Sequence, residues 1–531
     1  MPREGQVYAE GLQITLDKNS PPMMFNAGDG FHYEKLPEGT RVIYPPKPVE
    51  AVPDENVAIE RALLEPLDME PLHDLLTPGM KLTIAFDDLS LPLPPMQKPD
   101  LRELIIGKVL EKAAAKGVED IHIIAALGLH RRMTKNELTH QLGKRIMSDF
   151  YPDRLYNYDA EDPDENVFVG ETPHGEEVTV SKRVMESDLL IYVNINYIPM
   201  DGGHKSVHTG LSPYASIKHH HTPETLRNTK SLMDPDNSAL HGSVGRMAEV
   251  FKEHVKVFHI ETTLNNAAFP PMFDFMARPE HEWNLATKAN FLANHAATKK
   301  LPNAVPHRIF HSIKAPHRMT SIQAGATDPV HERTLRNCHE QQLVHVEGQT
   351  DVLMVGLPYV GPYNVNSIMN PLLVYNMLLG YLFNLYRGKP LVRKGGVLIG
   401  THPMPEAFHE IHHPSYIDLY HEAFAETKDI YEIARKYEKR YAEDPWYRTL
   451  YRSSNAYHGV HPFTVLYWGA HALDHVSDVI VVGADPKVAE HIGLKSAPTI
   501  ADALEMAKDK VGPSPSSTYM HLPPLFMCEV E

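Results

Sequence analysis

Leu82-Thr83-Ile84-Ala85-Phe86, the segment 100–116 and Ile121-His122-Ile123-Ile124-Ala125-Ala126-Leu127 decide the fold of this chain. The outer two are short apolar runs bounded by turn-forming sequence, and they read as buried strands. The middle one is amphipathic, opened by Asp100 behind Pro99 and closed by Gly117, and reads as a helix. Thr134-Lys135-Asn136-Glu137 then has the form of a capping box and predicts a helix over 134–149. Residues 189–193 make a third strand. This alternation predicts a parallel sheet with right-handed crossovers.

Working outward, 1–55 is Pro- and Gly-rich and reads as strands and loops at a domain edge, followed by helical patterns at 57–64 and 69–76. On the other side, 194–236 reads as a long loop-rich segment and 243–256 as a helix. The stretch from about 270 to 345 is rich in His, Pro and Asn and reads as an interdomain connection. A second alternation follows, with strands at 351–355, 396–399 and 479–482 and helices at 371–386, 416–441 and 499–510. The expected architecture is α/β, with two α/β domains at 1–290 and 291–531, mainly parallel sheets, and the active site in the cleft between them.

The chain has 531 residues, enough for two to four domains. Its formal net charge of −17 argues against a nucleic-acid surface and a polybasic membrane anchor. Two cysteines, Cys338 and Cys528, exclude a disulfide framework and suit a reducing compartment. Met1-Pro2-Arg3-Glu4-Gly5 starts no signal peptide pattern, so a cytoplasmic location is expected. The uncharged stretch 357–386 contains five asparagines and three prolines, and reads as a buried helix rather than a membrane span, with Asn370-Pro371 at its start. Histidine is in excess, at 33 residues against 17 Phe, which raises metal binding or proton transfer as readings.

In open parallel sheets, ligands bind beyond the carboxyl ends of the strands. Three such ends carry chemistry: Asp87-Asp88-Leu89-Ser90, then Gly128-Leu129-His130-Arg131, then Asp201-Gly202-Gly203-His204-Lys205 leading to His219-His220-His221. Each has a plain alternative. Asp87-Asp88 can be a turn or cap pair, His130 a helix-terminal contact, the paired glycines a flexible loop and the three histidines a solvated run. As functional elements, paired glycines admit close backbone approach. A lysine beside them can hold a phosphate or act as a nucleophile, and a neutral imidazole can ligate a borderline metal.

The order Asp-Asp-x-Ser-x-Pro-x-Pro, Gly-x-His-Arg-x-x-Thr, Gly-Gly-x-Lys and Ile-x-x-x-His resembles the lactate racemase family, from about residue 40 to 260, and again around 395–399 and 479–511. The resemblance implies a racemase or epimerase of 2-hydroxy acids that uses a nickel-pincer nucleotide. Lys205 would bond covalently to the cofactor and His221, with His220 close behind, would ligate nickel. His130 would be one of two proton-transfer bases. Asp87, Asp88, Ser90, Gly202, Gly203 and Arg131 would build the cofactor pocket. The implied partners are the hydroxy acid and the proteins that make the cofactor; the oligomeric state is left open, a homodimer being one option. The chemistry is coherent. The Cα–H bond of a 2-hydroxy acid is barely acidic, so hydride transfer is the easier route, and no side chain accepts a hydride.

The chain departs from the family where arginine is usual, at Leu91, with Leu89 likewise not basic. It also lacks a histidine about ten residues before Lys205, so His204 and Tyr197 stand as candidates for the second base. Tyr359 or Tyr363 would supply the family's second-domain tyrosine. Segments 265–345 and 400–470 match nothing in the family and hold most of the histidine surplus. These differences point to a divergent member with a substrate other than lactate, a larger one among the options, or with one base rather than two. Two other readings remain: a cofactor-free homologue that binds a hydroxy or sugar acid, and a zinc-dependent hydrolase using His409-Glu410-Ile411-His412-His413, whose spacing needs a helix that Pro414 disfavours.

Overall fold

Two mainly parallel sheets carry the described part of the chain, residues 6–92 and 94–531 of a computed structural model. The Met1–Gly5 reading and Leu93 of the first motif lie outside the described residues. Strands β1 (Gln13–Thr15) and β2 (Arg41–Ile43) come first and pair antiparallel. Strands β3 (Lys81–Asp87), β4 (Asp120–Ala126), β5 (Leu155–Asn157), β6 (Leu189–Asn196), β7 (Val257–Leu264) and β8 (Met319–Gly325) form a six-stranded sheet in the order β8-β7-β6-β3-β4-β5. Strands β9 (Thr350–Gly356), β10 (Val392–Thr401), β11 (Asp478–Val482), β12 (Lys495–Ala497) and β13 (Ser517–Met520) join β1 and β2 in a seven-stranded sheet, β1-β2-β13-β9-β10-β11-β12.

The first sheet follows from its sequence. All eight residues of β6 are buried, as a parallel strand covered on both faces requires. β3 and β4 are joined by helix Leu101–Ala115, whose first turn is capped by Asp100 accepting from Arg102 N at 3.0 Å. The next helix, Lys135–Phe150, starts with both bonds of the Thr134–Glu137 capping box. Asn370 likewise caps helix Pro371–Tyr375, accepting from Leu373 N at 3.0 Å. No helix among the described residues is long and apolar enough to cross a membrane.

Several expectations are corrected. The supposed loop 194–236 contains helices Gly203–Gly210, Tyr214–His220 and Pro223–Asn228. They are too short to show a periodic pattern and owe their form to tertiary packing. The stretch 270–345 is no mere connection, because it supplies β8, the antiparallel edge of the first sheet, and helix Thr327–Gln342. β8 escaped notice because Thr320, Ser321 and Gln323 make it polar. The sheets do not follow a 1–290 and 291–531 division, since β1 and β2 pair into the second sheet and β8 into the first. The helix expected at 69–76 shrinks to Leu72–Leu75. The one expected at 371–386 continues from Pro371–Tyr375 as a π-helix over Asn376–Leu382 and gives way to the strand Tyr386–Arg387. The long helix expected at 416–441 is broken after Glu426, where Asp429 caps a new one by accepting from Tyr431 N at 2.9 Å.

Candidate active site

The carboxyl ends of β3, β4 and β6 meet around a small cavity of about 80 Å³ lined by Asp87, Asp88, Ser90, His130, Asp201 and Lys205, among others. Adjacent parallel strands bring their ends to one edge of the sheet, so three loops distant in sequence converge. Gly128 lets the second loop close in. It has φ 54°, and a Cβ there would lie 2.1 Å from the Thr209 carbonyl oxygen.

Asp88 organises the first two loops. Its carboxylate accepts from Ser90 N and Ser90 Oγ, both at 2.9 Å, and lies 2.9 Å from His130 Nδ1. Burial works to raise the Asp88 pKa, but His130 and Ser90 outweigh it and hold the group below the ordinary carboxylate range. Asp87 has a different environment. It accepts from Asn194 Nδ2 at 2.5 Å and Ile195 N at 2.6 Å, and burial pushes it up to about 7. Burial also pushes Asp201 up to about 6, against the opposing pull of Lys205. Lys205 Nζ donates to the Met200 carbonyl at 3.1 Å, and burial lowers its pKa despite Asp201 and Asp87 nearby. The cavity therefore contains a buried amine whose pKa is lowered, the direction that a nucleophilic role needs.

His220 and His221 end the helix Tyr214–His220 and are both buried, with their Nδ1 atoms 2.8 Å apart. Burial drops His221 to about 3, with Lys205 and His130 adding to the effect, and puts His220 well below its ordinary value. Both are neutral imidazoles at pH 7, the protonation state a metal ligand needs. His220 Nε2 is buried without a hydrogen-bond partner.

Other expected residues lie elsewhere. His204 points to helix Thr327–Gln342, with Nε2 2.8 Å from Asp328 Oδ1, and does not line the cavity. Tyr197 is buried and donates its hydroxyl to Asn266 Oδ1 at 2.8 Å. Arg131 forks onto Glu137, at 2.6 and 3.1 Å, and donates to the Val365 carbonyl, so its guanidinium is committed to the fold. The glycine pair serves packing more than ligand approach. At Gly202, φ 93°, a Cβ would lie 2.4 Å from Glu261 Oε1, and Gly203 N donates to the same oxygen at 2.7 Å.

The fold also supplies one residue without an assignment from sequence, His461, beside the expected Tyr363. The His130 ring lies 5.2 Å from both Tyr363 and His461. His461 stacks on Tyr457 at 4.4 Å, and its Nδ1 lies 2.6 Å from the Tyr416 hydroxyl. Burial keeps His461 neutral, with His130 adding to the effect. His461 begins the short helix His461–Tyr467 with no motif around it, so only tertiary packing identifies it. Tyr359, the other expected tyrosine, lines a separate cavity.

The His409–His413 pentapeptide is a turn. The helix begins only at Pro414, His413 is buried with Nδ1 3.2 Å from Asn370 Nδ2, and Glu410 is exposed. The helical geometry of a zinc peptidase is absent here.

Residues 28–234 match the family model described as the lactate racemase N-terminal domain. The chain is 26% identical over 196 residues to a lactate racemase of Lactiplantibacillus plantarum, spanning 36% of this chain and 43% of that protein. It is 24% identical over 178 residues to a lactate racemase of Thermoanaerobacterium thermosaccharolyticum, spanning 33% and 40%. The matches thus cover less than half the length of these curated relatives. In fold, the chain resembles the lactate racemase apoprotein from T. thermosaccharolyticum, with a TM-score of 0.63 at 16% identity, covering 96% of this chain and 99% of that one. A Thermotoga maritima protein aligns with a TM-score of 0.52 at 14% identity, covering 92% and 100%.

Proposed function

From the premise that this chain is a divergent member of the lactate racemase family, we propose that it is a racemase or epimerase of a 2-hydroxy acid that works with a nickel-pincer nucleotide. The observation that carries this reading is the convergence of Lys205, Asp88 and His130 on one cavity at three strand ends. The donor set fits such a group. Lys205 offers a buried amine with lowered pKa for covalent attachment, and His221 with His220 offers neutral imidazole for nickel. When bound, the group supplies a reversible hydride acceptor, which no side chain provides.

The chain's own residues handle the proton. Asp88 holds His130 in the tautomer protonated at Nδ1, leaving Nε2 to take the substrate hydroxyl proton. A second base is needed for the other enantiomer. His461 is the candidate for that role in place of His204 and Tyr197, because its neutral ring touches His130, although it too is not among the residues that line the Lys205 cavity. Leu91 lines the Lys205 cavity and also a neighbouring cavity of about 170 Å³ with Leu89, Met96 and Met133. That second cavity is also lined by Arg102, His140, Gln141 and Lys314, and the added space favours a 2-hydroxy acid larger than lactate.

The test uses full-length protein from a host that makes the cofactor. Metal analysis and intact mass are expected to give about one nickel per chain and a covalent adduct, both reduced in Lys205→Ala. Stoichiometric nickel without an adduct would favour simple histidine ligation. Absence of both nickel and adduct would overturn this reading in favour of a cofactor-free binder of hydroxy or sugar acids.

A further inference from the structure

We infer that Asp29, His307 and His311 form a second metal site, one for a borderline divalent cation such as Zn²⁺. Asp29 sits at the tip of a hairpin made by strands Met23–Asn26 and Phe31–Glu34. The preceding Gly28 has φ 59°, and a Cβ there would lie 2.7 Å from His402 Nε2. Glycine therefore lets the hairpin tip settle against His402 and brings Asp29 to the helix Ala304–His311. On that helix His307 and His311 are four residues apart, hence on one face, with ring centroids 4.1 Å apart.

The ligand atoms are already gathered. His307 Nδ1 lies 2.8 Å from Asp29 Oδ2, His311 Nε2 lies 3.5 Å from Asp29 Oδ1, and one atom from each residue falls within 4.8 Å of the others. Adjacent ligands on a tetrahedral ion with bonds of about 2.1 Å are about 3.4 Å apart, so small side-chain movements admit an ion. One buried polar group also lacks a partner at this place, the hydroxyl of Tyr359, a residue only 3% exposed. Asp29 Oδ1 has no neighbour with hydrogen-bond geometry, only His311 Nε2 at 3.5 Å. Tyr359 packs edge-on against His311 at 5.7 Å and lines the same cavity, which is about 640 Å³. Buried polar groups are normally satisfied, and a bound cation with its water would satisfy both.

One carboxylate and two imidazoles suit zinc and its neighbours, and three protein ligands leave a position open. This cavity shares no lining residue with the Lys205 cavity. His307 and His311 also lie beyond the residues that match the racemase family model. The bland reading is a hydrogen-bonded Asp–His pair with a second histidine beside it, and the experiment separates the two.

Chelator-treated full-length Lys205→Ala protein, which cannot attach a cofactor through Lys205, is titrated with Zn²⁺ by equilibrium dialysis. It is compared with the same protein carrying His307→Gln and His311→Gln, or Asp29→Asn. The site predicts one fewer equivalent in the variants, and a Zn²⁺-dependent rise in Tm in the parent that they lose. Equal stoichiometry and an equal Tm rise would overturn it. A measurement on the unmutated chain guards against misfolded variants. Zn²⁺ should protect His307 and His311 from modification by diethyl pyrocarbonate, read by peptide mass spectrometry, and absence of protection would equally overturn the site.

Discussion

His130 Nδ1 lies 2.9 Å from Asp88 Oδ2, a contact that joins the loops after two neighbouring strands. It also fixes which imidazole nitrogen is free. Asp88→Asn can offer its amide nitrogen to Nδ1 and so favour the wrong tautomer. We expect kcat for racemisation of the accepted 2-hydroxy acid to fall by about 10²- to 10⁴-fold, with a smaller change in KM. Steady-state kinetics in both directions checks this. A loss confined to KM would place His130 in binding alone.

His461 and His130 should act on opposite enantiomers. His461→Gln is expected to slow one direction of a single half-reaction more than the other, while His130→Gln does the reverse. Single-turnover measurements starting from each pure enantiomer read this directly. Equal losses in both directions for His461→Gln would remove it as the second base.

Asp87 makes stability depend on pH. Burial raises its folded pKa from the ordinary 3.8 to about 7. The folded state then binds the proton more tightly than the unfolded chain does. Its contribution is fully present below about pH 4 and is lost as pH rises through about 7. Asp87→Asn, a neutral stand-in, should flatten the fall in stability across that window in urea unfolding at a series of pH values.

Glu137 has the opposite sign. Burial opposes its ionisation, but the Arg131 fork, with Asn366 and Thr134, brings it down from 4.5 to about 2. Its contribution is present above pH 4.5 and is lost as pH falls through about 2. Glu137→Gln leaves the buried Arg131 charge unpaired and should cost about 3 kcal/mol at pH 7. The difference from the parent should shrink in acid, as chemical denaturation would show.

Gly202→Ala should destabilise the fold by about 1–3 kcal/mol, because φ is 93° and a Cβ would press on the Asn196 amide, 2.2 Å away, and on Glu261. Lys205 follows on the same turn, so attachment of the cofactor should fall with it. Thermal unfolding and intact mass measure the two effects separately.

Local periodicity and end signals were enough to reveal the strands at Leu82 and Ile121, the Asp100 and Thr134 caps and the order of the loaded loops. Those features depend on residues a few positions apart, and parallel packing then obliges the three loops to meet. Lys205, Asp88 and His130, which the loop motifs single out, line one cavity. Contacts that cross the chain were not legible. His204 and Tyr197 sat beside Lys205 in sequence, yet Asp328 draws one aside and Asn266 the other. His461 reaches His130 from more than three hundred residues away, and His307 meets Asp29 across 278. A side chain's chemistry is written in its own position, but its partner is chosen by burial and by hydrogen bonds between segments that the chain keeps far apart. The motifs thus name the candidate chemistry of this protein, and packing selects which of those side chains face the cavity.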